Sequence, residues 1–86
     1  MHKKIAVSKN DKLILRFLSR PEDFTYSELK TLILSFGYKE MQGAGSRIVF
    51  VKNSHKIKLH KPHPANNLKR YQIDFVVKEL KNKGLI

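Results

Sequence analysis

Two stretches in the first half of the chain repeat their hydrophobic residues at helical spacing. In the first stretch these residues are Leu13, Ile14, Phe17 and Leu18. A spacing of three to four residues places them on one face of a helix. Ser8 or Asn10 is the candidate residue for capping its amino end, and Pro21 ends it. The sequence therefore predicts one amphipathic helix before a linker at residues 20–24.

A second helix is predicted directly after that linker. Thr25 is followed three residues later by Glu28, which is the spacing of a capping box. The apolar face of this helix consists of Leu29, Leu32, Ile33 and Phe36. Gly37 follows, at a place where a left-handed residue commonly ends a helix.

From Tyr38 onward the hydrophobic period changes from about 3.6 residues to 2, which indicates strands. Three strands are predicted at residues 38–42, 46–52 and 56–61, with turns at residues 43–45 and 53–54. Ile48, Phe50, Ile57 and Leu59 are the members expected to face the helices. The alternate residues would then share an open face: Arg47, Val49, Val51, Lys56, Lys58 and His60.

The chain leaves the sheet at Pro62 and Pro64, because proline cannot donate a hydrogen bond to a neighbouring strand. A last helix is predicted from the spacing of Ile73, Val76, Val77 and Leu80, and Gly84 ends it. The predicted fold class is α+β, a two-layer sandwich in the order helix, helix, three strands, helix. At 86 residues the chain has room for one compact domain.

The charge of the chain is strongly one-sided. Eighteen Lys and Arg residues against seven Asp and Glu give a net charge of +11, and no acidic residue occurs between Glu40 and Asp74. Such a run of positive charge attracts polyanions and is typical of nucleic-acid binders. The alternative is a solvated basic surface that only keeps the protein in solution.

Several protein classes are disfavoured by the same composition. The chain is too short to wall a deep substrate cleft, which argues against a large metabolic enzyme. No apolar run reaches the roughly 18 to 20 residues that span a bilayer, and the amino end does not have the pattern of a signal peptide. A cytoplasmic protein without a membrane partner is therefore expected. The lack of cysteine excludes disulfides and thiolate chemistry.

Several short motifs occur in an order that resembles the HicA toxins. They are Ser27-Glu28-Leu29 with Gly37-Tyr38, Gly45-Ser46 before Ile48-Val49-Phe50, Pro62-His63-Pro64, Leu68-Lys69 and the terminal Gly84-Leu85-Ile86. The resemblance covers residues 25–86, and residues 1–24 are then an amino-terminal extension with one helix. It implies a fold similar to the double-stranded-RNA-binding domain and the activity of an mRNA-cleaving endoribonuclease. It also implies a HicB-type antitoxin as protein partner.

The chain departs from that family at the residue after Gly45-Ser46. Members of the family usually have their catalytic histidine there, whereas this chain has Arg47. Arginine keeps its proton at neutral pH and cannot act as a general base. Its planar fork can bind phosphate or stabilise charge on a transferring phosphoryl group. The alternative for Arg47 is an exposed strand residue without a special role.

A histidine elsewhere would have to take the proton of the attacking 2′-hydroxyl group if RNA is cleaved without a metal ion. His63 is the first candidate, because prolines restrict its backbone and it resembles a recurrent family histidine before the Leu-Lys segment. His60 is the second. His2 lies near the chain end, and His55 falls in a predicted turn where a polar residue is expected in any case. No metal site or small-molecule cofactor is predicted, since no carboxylate or cysteine lies near the two candidate histidines.

The residues predicted to bind RNA are Arg47, Lys56, Lys58, Lys61, Lys69 and Arg70. Tyr71 could stack on a base or cover the core, and of the two we expect it to cover the core. Two functions therefore compete, an endoribonuclease toxin acting on mRNA and a non-catalytic module that binds RNA or an antitoxin. A DNA-binding regulator is the weaker third hypothesis, because no basic recognition helix is evident.

Overall fold

The computed structural model of this protein describes residues 8–62 and 65–86. Its elements follow the chain as α1 (Lys9–Leu18), α2 (Tyr26–Ser35), β1 (Lys39–Gln42), β2 (Arg47–Lys52), β3 (His55–His60) and α3 (Arg70–Asn82). This confirms the predicted α+β class and the predicted order of elements. None of the helices in the described ranges is long and apolar enough to cross a membrane.

The predicted capping box at the start of α2 is formed, and a second one, which was not predicted, starts α1. Ser8, rather than Asn10, caps α1: its hydroxyl accepts from the Asp11 backbone N–H at 3.1 Å, and the Asp11 carboxylate accepts from the Ser8 N–H at 3.2 Å. Thr25 and Glu28 exchange the equivalent bonds at 3.2 and 3.0 Å. Each box satisfies two backbone donors that a helix start would otherwise leave without partners.

The three strands form one antiparallel sheet in the order β1-β2-β3. Arg47 lies opposite His60 and Phe50 lies opposite Ile57. β3 begins at His55, one residue earlier than predicted, since Asn53 and Ser54 alone make the hairpin turn. Asn53 adopts a φ of +53°, which asparagine tolerates better than most residues.

One face of the sheet is buried under α2 and α3. Most of the residues that the two periodicities predicted are buried, namely Ile48, Phe50, Ile57 and Leu59 from the sheet and Leu29, Leu32, Ile33, Ile73, Val76, Val77 and Leu80 from the helices. Phe36, which was predicted for the same face of α2, is only half-buried. The intervening strand residues form the opposite face, which no described helix covers. The protein therefore has two layers, one of helices and one of sheet.

The amino-terminal segment shares this core. Phe17 of α1 and Phe24 are both fully buried, with ring centroids 5.2 Å apart. Phe24 lies in the predicted linker between α1 and α2, but the sequence analysis did not predict that its ring is buried. The loop after β3 is tied to the same place, where the Leu68 N–H donates to the Phe24 carbonyl oxygen at 2.8 Å.

Arg16 joins α1 to the start of α2. Its guanidinium donates to the Glu28 carboxylate at 3.1 Å and to Asp23 at 3.1 Å. The bond from Arg16, assisted by the capping bond from Thr25, lowers the pKa of Glu28. A lowered carboxyl pKa stabilises the folded state above the pKa of the unfolded chain, and this contribution disappears as the pH falls through the folded value.

Replacement of Phe17 by alanine tests whether α1 is part of the core. Phe17→Ala should lower the free energy of unfolding by about 3 to 5 kcal/mol, the usual cost of deleting a buried ring. Leu15→Ala, on the same helix at a side chain that is 64% exposed, is the matched control and should change it by less than about 0.5 kcal/mol. Urea unfolding measures both values. Equal effects of the two substitutions would contradict a shared core.

Candidate nucleic-acid interface

The uncovered face of the sheet carries three of the six residues that were predicted to bind RNA, namely Arg47, Lys56 and Lys58. Successive residues of a strand point to opposite faces, so the register assigns this face to Lys39, Met41, Arg47, Val49, Val51, Lys56, Lys58 and His60. We call these eight residues the open face. Lys39 and Met41 were not predicted to belong to it, although the alternation within β1 would have placed them there.

None of the seven carboxylates of the chain lies on the open face. They belong to the helices, to the loop between α1 and α2, and to the helix side of β1: Asp11, Glu22, Asp23, Glu28, Glu40, Asp74 and Glu79. Charges of one sign that are concentrated on one surface produce a long-range field that attracts polyanions. The open face therefore carries cations without carboxylates, whereas the helix layer and the loops carry charges of both signs.

Glu40 shows how this separation arises within a strand. It lies opposite the buried Phe50, so its side chain points toward α2. There it accepts a hydrogen bond from the Tyr26 hydroxyl and pairs with Lys30 Nζ at 3.2 Å. These two contacts lower the pKa of Glu40, with the Tyr26 bond as the larger cause. The negative charge is thus held on the helix side of the sheet.

Arg47 and His60 are direct cross-strand neighbours at one end of the open face. The Lys61 N–H donates to the Ser46 carbonyl oxygen at 2.8 Å, one residue beyond this pair. Arg47 and His60 therefore form a non-hydrogen-bonded pair, the type in which Cα atoms approach to about 4.5 Å and side chains lie closest. A guanidinium and an imidazole are consequently adjacent and exposed.

Two further side chains complete this end of the open face. Ser46 Oγ lies 3.4 Å from Nδ1 of His60, which leaves Nε2 directed elsewhere. Lys58 lies two residues from His60 on the same side of β3, about 6.6 Å along the strand. This end of the open face therefore combines an imidazole, which can exchange a proton, with two cations that can hold a phosphodiester.

The remaining predicted residues are divided between two places. Lys69 and Arg70 lie at the start of α3, where the Gln72 side-chain amide donates to the His60 carbonyl oxygen at 3.0 Å. The first turn of α3 is therefore next to the end of β3 that bears His60. Lys61 points to the helix layer, with Nζ 5.6 Å from the centroid of the Tyr26 ring.

His63 was the first candidate for the base, and it lies outside the described residues. Within the described ranges, His60 is the candidate histidine that borders Arg47 and Lys58. No three His, Cys, Asp or Glu side chains come together in those ranges in a way that could hold a metal ion.

His55 has a structural role that the sequence analysis missed. Its Nδ1 lies 2.6 Å from the Tyr38 hydroxyl, and its Nε2 lies 2.8 Å from Glu79 Oε1. Burial, together with the charge of Glu79, raises the pKa of Tyr38. Because both ring nitrogens are engaged, His55 links the start of β1 to α3 and has no free nitrogen for a substrate.

The prediction that Tyr71 covers the core is wrong, because its side chain is 68% exposed. The core-facing side of α3 is occupied by Gln72, Ile73, Val76, Val77 and Leu80. Tyr71 precedes this set by one residue, a rotation of about 100° that turns it away from the core. An exposed aromatic ring therefore lies on α3 next to the end of β3.

Comparison with known proteins gives no match: no family model fits this chain, and no curated protein or solved structure is significantly similar to it. The function therefore has to be argued from the arrangement of its own residues.

Substituting the two histidines separately distinguishes their roles. His55→Ala leaves the Tyr38 hydroxyl and the Glu79 carboxylate without their shared partner, and should lower the free energy of unfolding by about 1 to 3 kcal/mol. His60→Ala removes an exposed side chain and should change it by less than about 0.5 kcal/mol. Chemical denaturation of the two variants at neutral pH tests this. A larger loss in His60→Ala than in His55→Ala would reverse the assignment.

Proposed function

We propose that this protein is the toxin of a type II toxin–antitoxin pair and acts in the cytoplasm as a metal-independent endoribonuclease on mRNA. The observation that carries the proposal is the adjacent Arg47 and His60 pair on a sheet face without carboxylates. The motifs that resemble the HicA toxins support it. The observed order of elements is also compatible with a fold similar to the double-stranded-RNA-binding domain.

The register offers an explanation for the arginine that replaces the family histidine. His60 lies directly across the strand pair from Arg47. An imidazole on β3 therefore reaches the same end of the open face that a histidine at position 47 would reach from β2. The base is thus moved to the neighbouring strand, and position 47 supplies a cation for the phosphate.

The chemistry follows from these positions. The 2′-hydroxyl oxygen of the substrate attacks the adjacent phosphorus while Nε2 of His60 takes its proton. The bond from phosphorus to the 5′-oxygen breaks, and the leaving oxygen takes a proton from water, which gives a cyclic phosphate and a free 5′-hydroxyl group. Arg47 and Lys58 hold the non-bridging oxygens, where negative charge increases in the transition state.

Binding of RNA before this step depends on the open face as a whole. Lys39 and Lys56 lie at the end of the face opposite Arg47 and His60, so positive charge extends across it. These side chains are not arranged to read base edges, so they would contact the phosphates. Affinity is therefore governed by charge and by the ionic strength of the solution.

The alternative function is a non-catalytic module of the same fold that binds RNA or an antitoxin. The open face supports it through an apolar strip between its cations, formed by Val49, Val51 and Met41, which is 58% exposed. An apolar centre with a charged rim is typical of protein interfaces, and an acidic HicB-type antitoxin would complement the lysines. A toxin and a non-catalytic module would both bind the antitoxin, so an assay of RNA cleavage is needed to distinguish the two functions.

RNA binding should weaken steeply with salt. If about four to six phosphates are contacted, the logarithm of the affinity should fall against the logarithm of the salt concentration with a slope of about −3 to −5. Fluorescence anisotropy with unrelated RNAs of equal length measures the slope. The double substitution Lys56→Glu and Lys58→Glu should weaken binding and flatten the slope.

The matched control is Lys12→Glu with Lys81→Glu, which changes the net charge equally at exposed positions on α1 and α3. It should weaken binding less than the substitutions on the open face. Equal losses from the two pairs would mean that net charge alone attracts RNA and that the open face is not the interface.

RNA cleavage should depend on His60. His60→Ala should lower the cleavage rate by about 10² to 10⁴, the usual loss for a general base, while RNA affinity changes little. Arg47→Ala should lower the rate by a smaller factor, because it removes one charge-stabilising contact and leaves the proton transfer in place. His63→Ala is measured beside them, because His63 is the other candidate base.

A folded wild-type chain that binds RNA and does not cleave it would favour the module. Undiminished cleavage by the His60→Ala, His63→Ala double variant would place the chemistry elsewhere.

A further inference from the structure

Two aromatic side chains on α3 are exposed next to the candidate site. Tyr71 is 68% exposed, and Phe75, one helical turn later, is 39% exposed. They line a groove between α3 and β3 together with Lys58, Leu59, His60 and Gln72. We call this the aromatic groove. The core does not require either ring, since other residues fill the inner side of α3.

The floor of the aromatic groove is held in place by Gln72. Its side-chain nitrogen donates to the His60 carbonyl oxygen at 3.0 Å, and its side-chain oxygen accepts from the Lys69 N–H at 3.0 Å. The Gln72 side chain is buried, and its nitrogen and its oxygen each have a hydrogen-bond partner. The spacing between α3 and the end of β3 is therefore fixed, and the two rings stand at a defined position relative to His60.

The aromatic groove and the open face are continuous. Lys58 and His60 border both the groove and the depression that contains Arg47. A phosphate held between Arg47 and Lys58 would thus lie across β3 from the rings of Tyr71 and Phe75. A nucleotide is the ligand that has a charged group and a flat apolar group in this combination.

The charge of the surroundings disfavours a second copy of this chain as the occupant. The chain carries a net charge of +11, and the adjoining strand β3 presents Lys56 and Lys58. Two copies meeting along this strand would place like charges opposite each other, which is destabilising. A polyanion with apolar bases is attracted by the same charges.

We propose that the aromatic groove binds an unpaired RNA base, which stacks on Tyr71 and contacts Phe75, next to the phosphate held by Arg47 and Lys58. This inference rests on the proposed function, because it assumes that the open face binds RNA. It adds a substrate class: the protein selects single-stranded RNA, since the faces of paired bases in a duplex are covered by their stacked neighbours. Stacking tolerates any base, so the groove selects strandedness rather than sequence.

The absence of tryptophan from the chain allows a direct test. Tyr71→Trp places a single fluorophore in the groove and preserves a stacking surface. Its emission should be quenched by single-stranded oligouridylate, and much less by an abasic ribose-phosphate strand of the same length or by duplex RNA. Leu34→Trp, at a half-exposed position on α2, is the matched control and should respond equally weakly to all three.

Affinity measurements complete the test. Tyr71→Leu should weaken the binding of oligouridylate by about 5- to 150-fold, the usual effect of losing one stacked base. It should leave the binding of the abasic strand unchanged, and Tyr71→Phe should preserve both affinities. Phe75→Leu should produce a smaller loss in the same direction, which provides a second variant if Tyr71→Leu does not fold.

The possible failures are distinguishable. If wild-type binding of RNA is strong and salt-dependent but Tyr71→Leu and Phe75→Leu bind oligouridylate and the abasic strand as the wild type does, the groove does not bind a base and the proposed function stands. If polyglutamate quenches the Tyr71→Trp variant as strongly as oligouridylate does, the groove is a protein-binding site and the inference is overturned. If no RNA binds at all, the proposed function fails together with the inference.

Discussion

The antiparallel register between β2 and β3 is the constraint on which the rest of this protein depends. It is enforced by two buried cross-strand pairs, Ile48 with Leu59 and Phe50 with Ile57. A slip of one residue would turn lysines into the core and hydrophobic residues into water, which costs far more than the alternative pairing could return. The same burial that stabilises the fold therefore holds His60 opposite Arg47. The packing of the core is therefore enough to place these two side chains next to each other.

The division of charge follows from that register as well. In the helix layer, cations lie beside carboxylates, as in Arg16 with Glu28, Arg20 with Asp74 and Lys30 with Glu40. On the open face the cations have no carboxylate among their neighbours. The open face therefore presents four cations, Lys39, Arg47, Lys56 and Lys58, on a surface where apolar residues are also accessible. Under the proposed function, RNA and an acidic antitoxin would bind this same surface, so that binding of one would exclude the other.

The two histidines of β3 have different surroundings because they point to opposite faces of the sheet. His55 and His60 are five residues apart, so they point to opposite faces of β3. His55 faces the helices and is fixed by Tyr38 and Glu79, with both nitrogens engaged. His60 faces the open side, and among the described residues its ring makes one long contact, with Ser46. A strand shift of one residue would exchange a structural imidazole for one that is free to act on a substrate.

The sequence alone determined the elements, because each has a strong local signal. The Thr25–Glu28 capping box, Gly37 at the end of α2 and the alternation from Ile48 to Leu59 placed the helices and strands to within one or two residues and assigned Arg47, Lys56, Lys58 and His60 to one face. Contacts between distant segments were decided only in the tertiary structure. The ring of Phe24 is buried in the core although it lies in a loop. Lys61 lies beside Tyr26 in the helix layer, and His55 contacts Glu79 of α3. The exposure of Tyr71 differs from these, because Tyr71 lies off the apolar side of α3 that Ile73 and Val76 define, and the helical period alone indicates this. Periodicity reports which residues share a face of their own element. It does not report which faces meet, since that depends on packing between residues that are far apart in the chain.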